Sequence, residues 1–110
     1  VGLGNPYAGS TMEEIGYLTE KDIQQLKEDE ALGDINSNFF DASGKKVDNE
    51  INKSIVGITL EDIRKIPQVM TIVDDLRRMR IAKIAIETNL INILVTTDII
   101  AQALLDAARE

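Results

Sequence analysis

Two nearly continuous apolar runs in the second half of the chain, Val69 to Val73 and Leu90 to Val95, constrain its architecture more than any other feature. A strand with one wet face alternates apolar and polar residues, whereas a strand without that alternation is covered on both sides. Each run is followed by a segment of helical period. The first spans about Asp75 to Thr88, with Leu76, Met79, Ala82, Lys83 and Ile86 at helical spacing, and the second runs from Thr97 or Asp98 through Ala108. A third short run, Ser54 to Thr59, reads as a buried strand. Behind it Thr59 caps a helix of one or two turns, with Asp62 as the capping-box acid, that ends before Pro67. The order strand, helix, strand, helix, strand, helix predicts an α/β fold: a Rossmann-like, mostly parallel sheet with helices on both faces and right-handed crossovers. Such sheets bind ligands beyond the carboxyl ends of their strands. In this sequence those ends are Gly4 and Asn5, Thr59, Asp74 and Asp75, and Thr96 and Thr97.

The first half carries different signals. Val1-Gly2-Leu3-Gly4-Asn5-Pro6 reads as the end of a buried strand entering a turn, with no beginning to the strand, so further residues are expected ahead of it. Ser10 and Glu13 suit a capping box for a short helix from Ser10 to Ile15. Thr19 and Asp22 suit another, for a polar helix over about Glu20 to Glu30 with Ile23 and Leu26 on one side. Asp34 to Asp41, with Ile35, Phe39 and Phe40, reads as a strand. Ala42-Ser43-Gly44-Lys45 is a turn, which predicts a small β-hairpin.

Composition narrows the chemistry. The chain has no Cys, so disulfides, thiolate nucleophiles and zinc-thiolate sites are excluded. It also has no His, the commonest general base and transition-metal ligand. No apolar run approaches the roughly 18 to 20 residues that a membrane-spanning helix needs, and no secretion signal is visible. A cytoplasmic protein is the simplest expectation. A net charge of −7 over 110 residues opposes direct contact between this segment and a nucleic-acid backbone.

Several residues suggest a site, each with a plainer structural alternative. Gly2 and Gly4 at a strand end let a backbone approach a phosphate or sugar closely, or simply make a tight turn; with no third Gly and no immediate helix they are not a dinucleotide fingerprint. Asp34, after Gly33, accepts hydrogen bonds from sugar hydroxyls or caps a turn. Arg77, Arg78 and Arg80 near a helix start form a phosphate grip, or pair with Asp74 and Asp75 just ahead of them. Thr96 and Thr97 offer hydroxyls to a ligand or cap the last helix. No catalytic constellation, metal site or cofactor motif stands out.

The residue order goes further. Val1-Gly2-Leu3-Gly4-Asn5-Pro6, Gly16-Tyr17-Leu18-Thr19, Leu32-Gly33-Asp34-Ile35, Phe39-Phe40-Asp41, Val56 to Pro67 and Leu90 to Thr96 stand in one order along essentially the whole chain. In these blocks the chain resembles the sugar-binding domain of SorC/DeoR-like bacterial transcription regulators.

The resemblance implies a helix-turn-helix module followed by an effector domain with the fold of sugar-phosphate isomerases and CoA transferases. Residues 1–110 would be the C-terminal part of that domain, the DNA-binding module lying upstream. It implies a phosphorylated sugar as effector, DNA contact through the upstream module, a homodimer or homotetramer, and no cofactor. The effector residues it implies are Gly2, Gly4, Asn5, Asp34, Arg78 and Thr96. Asp74 and Asp75 stand where the family usually has a Gly pair, Arg78 where it has Lys, and Thr97 where Asp is common. Two alternatives accompany this expectation: a sugar-phosphate isomerase or deaminase on the same fold, and an oligomerisation module with a vestigial site.

Overall fold

The computed structural model describes residues 1–7, 18–54 and 56–109. The short helix expected from Ser10 to Ile15 lies outside them.

The first half builds a three-stranded antiparallel sheet. Strand β1 (Leu3–Gly4) pairs with β2 (Gly33–Ile35), which pairs with β3 (Asn38–Phe40). The register sets Gly4 opposite Asp34, and Asp34 opposite Phe39. The single strand expected from Asp34 to Asp41 is therefore two strands. Asn36 and Ser37 both take positive φ, 48° and 69°, which makes the tight hairpin turn that suits the twist of its strands. Two local bonds hold it: the Ser37 N–H donates to the Asp34 carboxylate, and the Asn38 amide donates to the Ile35 carbonyl. The turn expected at Ala42 to Lys45 is present as a second reversal. It is held by Asp41, whose carboxylate accepts from the N–H groups of Ser43 and Lys45, and it is followed by an antiparallel bridge between Phe40 and Lys46. Gly44 sits at φ +75°, and a Cβ on it would lie 2.4 Å from the side chain of Thr88, so this turn requires glycine.

Helix α1 (Glu20–Glu28) starts at the expected capping box. The Thr19 hydroxyl accepts from the Asp22 N–H, and the Asp22 carboxylate accepts from the Thr19 N–H. Its Ile23 and Leu26 pack with Leu18, Ala31, Phe39 and Val47 in a small core of their own. Short helix α2 (Glu50–Lys53) adds buried Asn52, whose amide bonds the backbone of Phe39 and the carbonyl of Val47.

The second half is a parallel βαβα unit. Helix α3 (Leu60–Lys65), capped by Thr59, leads into β4 (Met70–Val73). A 3₁₀ turn (Leu76–Arg78) then runs into α4 (Met79–Glu87), followed by β5 (Ile93–Thr96) and α5 (Asp98–Ala108). Strands β4 and β5 pair in parallel, Met70 with Ile93 through Val73 with Thr96. The main core gathers on one face of this pair. There Val73 meets Leu60 and Ile63 of α3, Ile81, Ala82 and Ala85 of α4, and Ile100 of α5, together with Leu3, Ile35 and Phe40 of the antiparallel sheet. The chain is thus an α/β protein with a parallel pair, flanking helices and a small hairpin. The two sheets meet where the Val1 backbone nitrogen donates to the Met70 carbonyl at 2.8 Å and the Thr71 hydroxyl donates to the Val1 carbonyl at 2.9 Å.

Two further expectations need correction. The run from Ser54 to Thr59 is not a buried strand: its described residues form a connection between α2 and α3, and Val56 is 99% exposed. Apolar content makes a strand only beside a partner edge, and no described strand lies alongside it. Its Ile58 carbonyl is instead bound by the Asn38 amide at 2.8 Å. The buried stripe of α4 is also rotated from the expected one. It runs through Ile81, Ala82 and Ala85, leaving Ile86 41% exposed, while the 3₁₀ turn takes Leu76 out of the helix. No described helix is long and apolar enough to cross a membrane.

Candidate functional site

Asp34 is the unusual residue of the structure. It lies in the middle of β2, only 6% exposed, with a carboxylate in the interior. One carboxylate oxygen accepts from the Ser37 N–H at 3.0 Å. The other lies against Gly4: a Cβ at position 4 would stand 2.4 Å from it. Gly4 is glycine because β1 must pass this carboxylate without a side chain. Burial pushes the Asp34 carboxyl up to about 6, opposed by the Ser37 hydrogen bond and the positive charge of Arg78. Among the described residues the Asp34 carboxyl has one hydrogen-bond donor, the Ser37 N–H, which leaves hydrogen-bonding capacity unused.

Arg78 closes the 3₁₀ turn just before α4, half-buried, where its charge reaches both Asp34 and Asp75. The neighbouring Arg77 is committed elsewhere. Its guanidinium grips the Asp75 carboxylate, with Nη2 at 2.7 Å and Nε at 3.0 Å. That bidentate pair, with the Arg77 N–H, holds the Asp75 carboxyl down at about 2. Asp75 is thus the partner expected for one arginine, while Arg78 has no ion pair among the described residues.

The other expected site residues divide. Gly2 is exposed and bonds Asn36 through both its N–H and its carbonyl, so its N–H is already used. The Asn5 side chain accepts from the Tyr7 N–H, a local turn. Thr96, at the end of β5, donates its hydroxyl to the Val73 carbonyl and ties the two strand ends together. The geometry therefore sets Gly4 against Asp34, and the charge of Arg78 acts on that carboxylate. Gly2 and Asn5 serve the turns beside it, and Thr96 stands on the parallel rim.

That rim carries an open cleft of about 620 Å³, lined by Asp74, Asp75 and Leu76 after β4 and by Thr97, Asp98 and Ile99 after β5. Thr97 caps α5, its hydroxyl accepting from the Ile100 N–H. Leu76, read from the sequence as part of a helical stripe, and Ile99 are not among the expected site residues, although a signal existed. Each strand end is followed by two polar residues and then an exposed aliphatic one, Asp74-Asp75-Leu76 and Thr97-Asp98-Ile99. Ser37, which orients Asp34, had no signal beyond its place in a turn. Among the described residues no group of three acids could hold a metal ion.

The fold and this rim define a class: an α/β domain with an open cleft where its parallel strands end. The family follows from comparison. Residues 1–106 match the family described as "Putative sugar-binding domain", and the chain belongs to it. The transcriptional regulator LsrR of Enterobacter is 31% identical over 98% of this chain and 34% of its own length. Among solved structures, a DeoR family transcriptional regulator from Listeria monocytogenes superposes with a TM-score of 0.91 at 40% identity, over 94% of this chain and 42% of that one. The "Putative Sugar-Binding Domain of Transcriptional Repressor" from Vibrio fischeri superposes with a TM-score of 0.84 at 30% identity, over 99% of this chain and 44% of that one. The chain spans about a third of the length of the curated regulator.

Proposed function

We propose that this chain is the C-terminal part of an effector-sensing domain in a cytoplasmic bacterial transcription regulator. Its ligand is a phosphorylated sugar, taken at Asp34. Asp34 accepts the sugar hydroxyls, Gly4 leaves room for that carboxylate, and Arg78 answers the phosphate. Arg78 suits that role because Arg77 already neutralises Asp75, leaving the second guanidinium as the cation beside a buried carboxylate. The observation that carries the reading is the buried Asp34 carboxylate set against Gly4, within electrostatic reach of Arg78.

Regulation follows as a population shift. An effector that binds one arrangement of a homodimer or homotetramer more tightly biases the spacing of DNA-binding modules that lie outside this segment. The charge of this segment, −7, is consistent with leaving DNA contact to another part of the protein. The relatives support the reading, being transcriptional regulators, and the family is one of sugar-binding domains. The test is a thermal-shift screen of sugar phosphates against this chain and its Asp34→Ala and Arg78→Ala variants. A hit at a hundred times its Kd raises stability by about 2.7 kcal/mol, and the shift disappears in both variants. A hit that persists undiminished in both would move the site elsewhere.

A further inference from the structure

The turn that orients Asp34 also reaches a second part of the molecule. Asn36 and Ser37 both stand in the left-handed region, and neither is glycine. For such residues that conformation carries a steric cost and persists only where the surroundings impose it. Three sets of bonds impose it here. Asn36 donates its N–H to the Gly2 carbonyl, and its side chain accepts from the Gly2 N–H, both at 3.0 Å. The Ser37 N–H donates to the Asp34 carboxylate. The Asn38 side-chain amide donates to the carbonyls of Ile35 and Asn36 within the turn, at 3.2 and 3.3 Å, and to the Ile58 carbonyl outside it, at 2.8 Å. An amide has two N–H groups, so the Ile58 carbonyl competes with the two inside the turn. Among the described residues this is the only hydrogen bond to residues 56–58. The next residue, Thr59, starts α3: its hydroxyl accepts from the Asp62 N–H and its carbonyl from the Ile63 N–H.

We propose that Asn38 is a positioning residue that carries the state of the Asp34 carboxylate to the start of α3. Its regulatory meaning rests on the proposed role of Asp34 as the acceptor of the effector. A hydroxyl that donates to Asp34 shares the carboxylate with the Ser37 N–H. A turn held in a costly conformation shifts when one of its ties weakens. Asn38 follows Ser37 directly, so its amide shifts too and changes its share between the turn and Ile58. Residues 56–58 have no other described bond to hold them, and the cap at Thr59 moves with them. Leu60 and Ile63 then bring the change into the main core. Such a chain of hydrogen bonds with two arrangements is a physical route for coupling between sites. The connection from Val56 to Thr59 is thus the part of the surface that answers occupancy at Asp34.

The experiment needs no effector. Asp34→Ala removes the acceptor of the Ser37 N–H, and backbone amides are followed by NMR. The expected result is displaced resonances at Gly57 and Ile58 and severalfold faster exchange at Asp62 and Ile63. Exchange is measured against Leu26, which lies in the separate small core and reports global stability. Asn38→Leu, similar in size but without a donor, produces the same changes alone, and adding Asp34→Ala to it moves these amides no further. Ser37→Gly keeps the N–H and removes the steric cost, so Asp34→Ala disturbs α3 much less in that background. Unchanged amides from Gly57 to Ile63 in the Asp34→Ala chain would overturn the proposal. So would a response to Asp34→Ala that is the same size with Asn38 as with Leu there, or with Ser37 as with Gly there. A sugar phosphate that raises the melting temperature through Asp34 while this coupling is absent leaves the effector reading standing. A coupling that holds while every sugar phosphate fails to bind defeats that reading alone.

Discussion

At the scale of single residues, Asp34 carries the clearest consequence. Its folded carboxyl titrates near 6, above its ordinary value of 3.8. The native protein therefore holds this proton more tightly than the unfolded chain does. The stabilisation is fully present below 3.8 and is lost as pH rises through about 6. At roughly 1.4 kcal/mol for each pH unit between those two values, ionising Asp34 costs the fold up to about 3 kcal/mol at neutral pH. Asp34→Asn keeps an acceptor for the Ser37 N–H and removes that cost. The variant is expected to be more stable than the parent at pH 7.5, by one to a few kcal/mol in order of magnitude, with a flatter stability profile between pH 4 and 6. Urea denaturation across that range is the check, and an Asn variant less stable at neutral pH would refute it. On the proposed function Asp34 receives the effector, so the same variant should lose its sugar-phosphate response. Gly4→Ala tests the same spot from the opposite strand. The new methyl displaces the carboxylate, so ligand affinity should fall at least tenfold, as titration calorimetry would measure. Little of this grouping was legible beforehand. Gly4, Asp34 and Arg78 were each singled out, but the meeting of Gly4 with Asp34 depends on pairing between strands distant in sequence, which no local pattern encodes.

Among elements, legibility tracked how local the signal was. The hydroxyl caps at Thr19, Thr59 and Thr97 form, because each is a contact between residues three apart in the chain, but the full capping box is present at Thr19 and only its hydroxyl half at Thr59. The parallel strands at Met70–Val73 and Ile93–Thr96 also lie within the runs that announced them, give or take a residue at the end. The run from Ser54 to Thr59 misled because Ile and Val record a need for burial, not the partner that meets it. The hairpin was found with its sharpest bend in the wrong place, since Asn36 and Ser37 reach left-handed backbone without a glycine to mark them. Thr97→Ala is expected to destabilise α5 by about 1 kcal/mol, the usual cost of losing a hydroxyl cap. Because α5 follows directly from the rim, amide exchange of Ile99 and Ile100 should quicken before that of α4. Unchanged exchange at these positions would show that tertiary contacts alone set the start of the helix.

Across the whole molecule, a few polar contacts tie separate parts together. Arg64 on α3 reaches both the Gly44 carbonyl in the second turn, at 2.5 Å, and the Thr88 carbonyl at the end of α4, at 3.2 Å. It thereby fastens the antiparallel region to the parallel unit. Arg64→Met keeps the aliphatic stem and removes both bonds. The expected loss is about 1 kcal/mol, because the side chain is partly exposed, with faster amide exchange from Asp41 to Val47. Equal exchange in parent and variant would mean that the core alone sets the docking. The relation between Gly4 and Asp34 reaches beyond this one protein. Position 4 has room for a side chain only if position 34 gives up its carboxylate, so descent should alter the two together. Where a homologous lineage carries a larger residue at the first, the second should have ceased to be acidic, and the menu of metabolites that lineage senses should have changed with it.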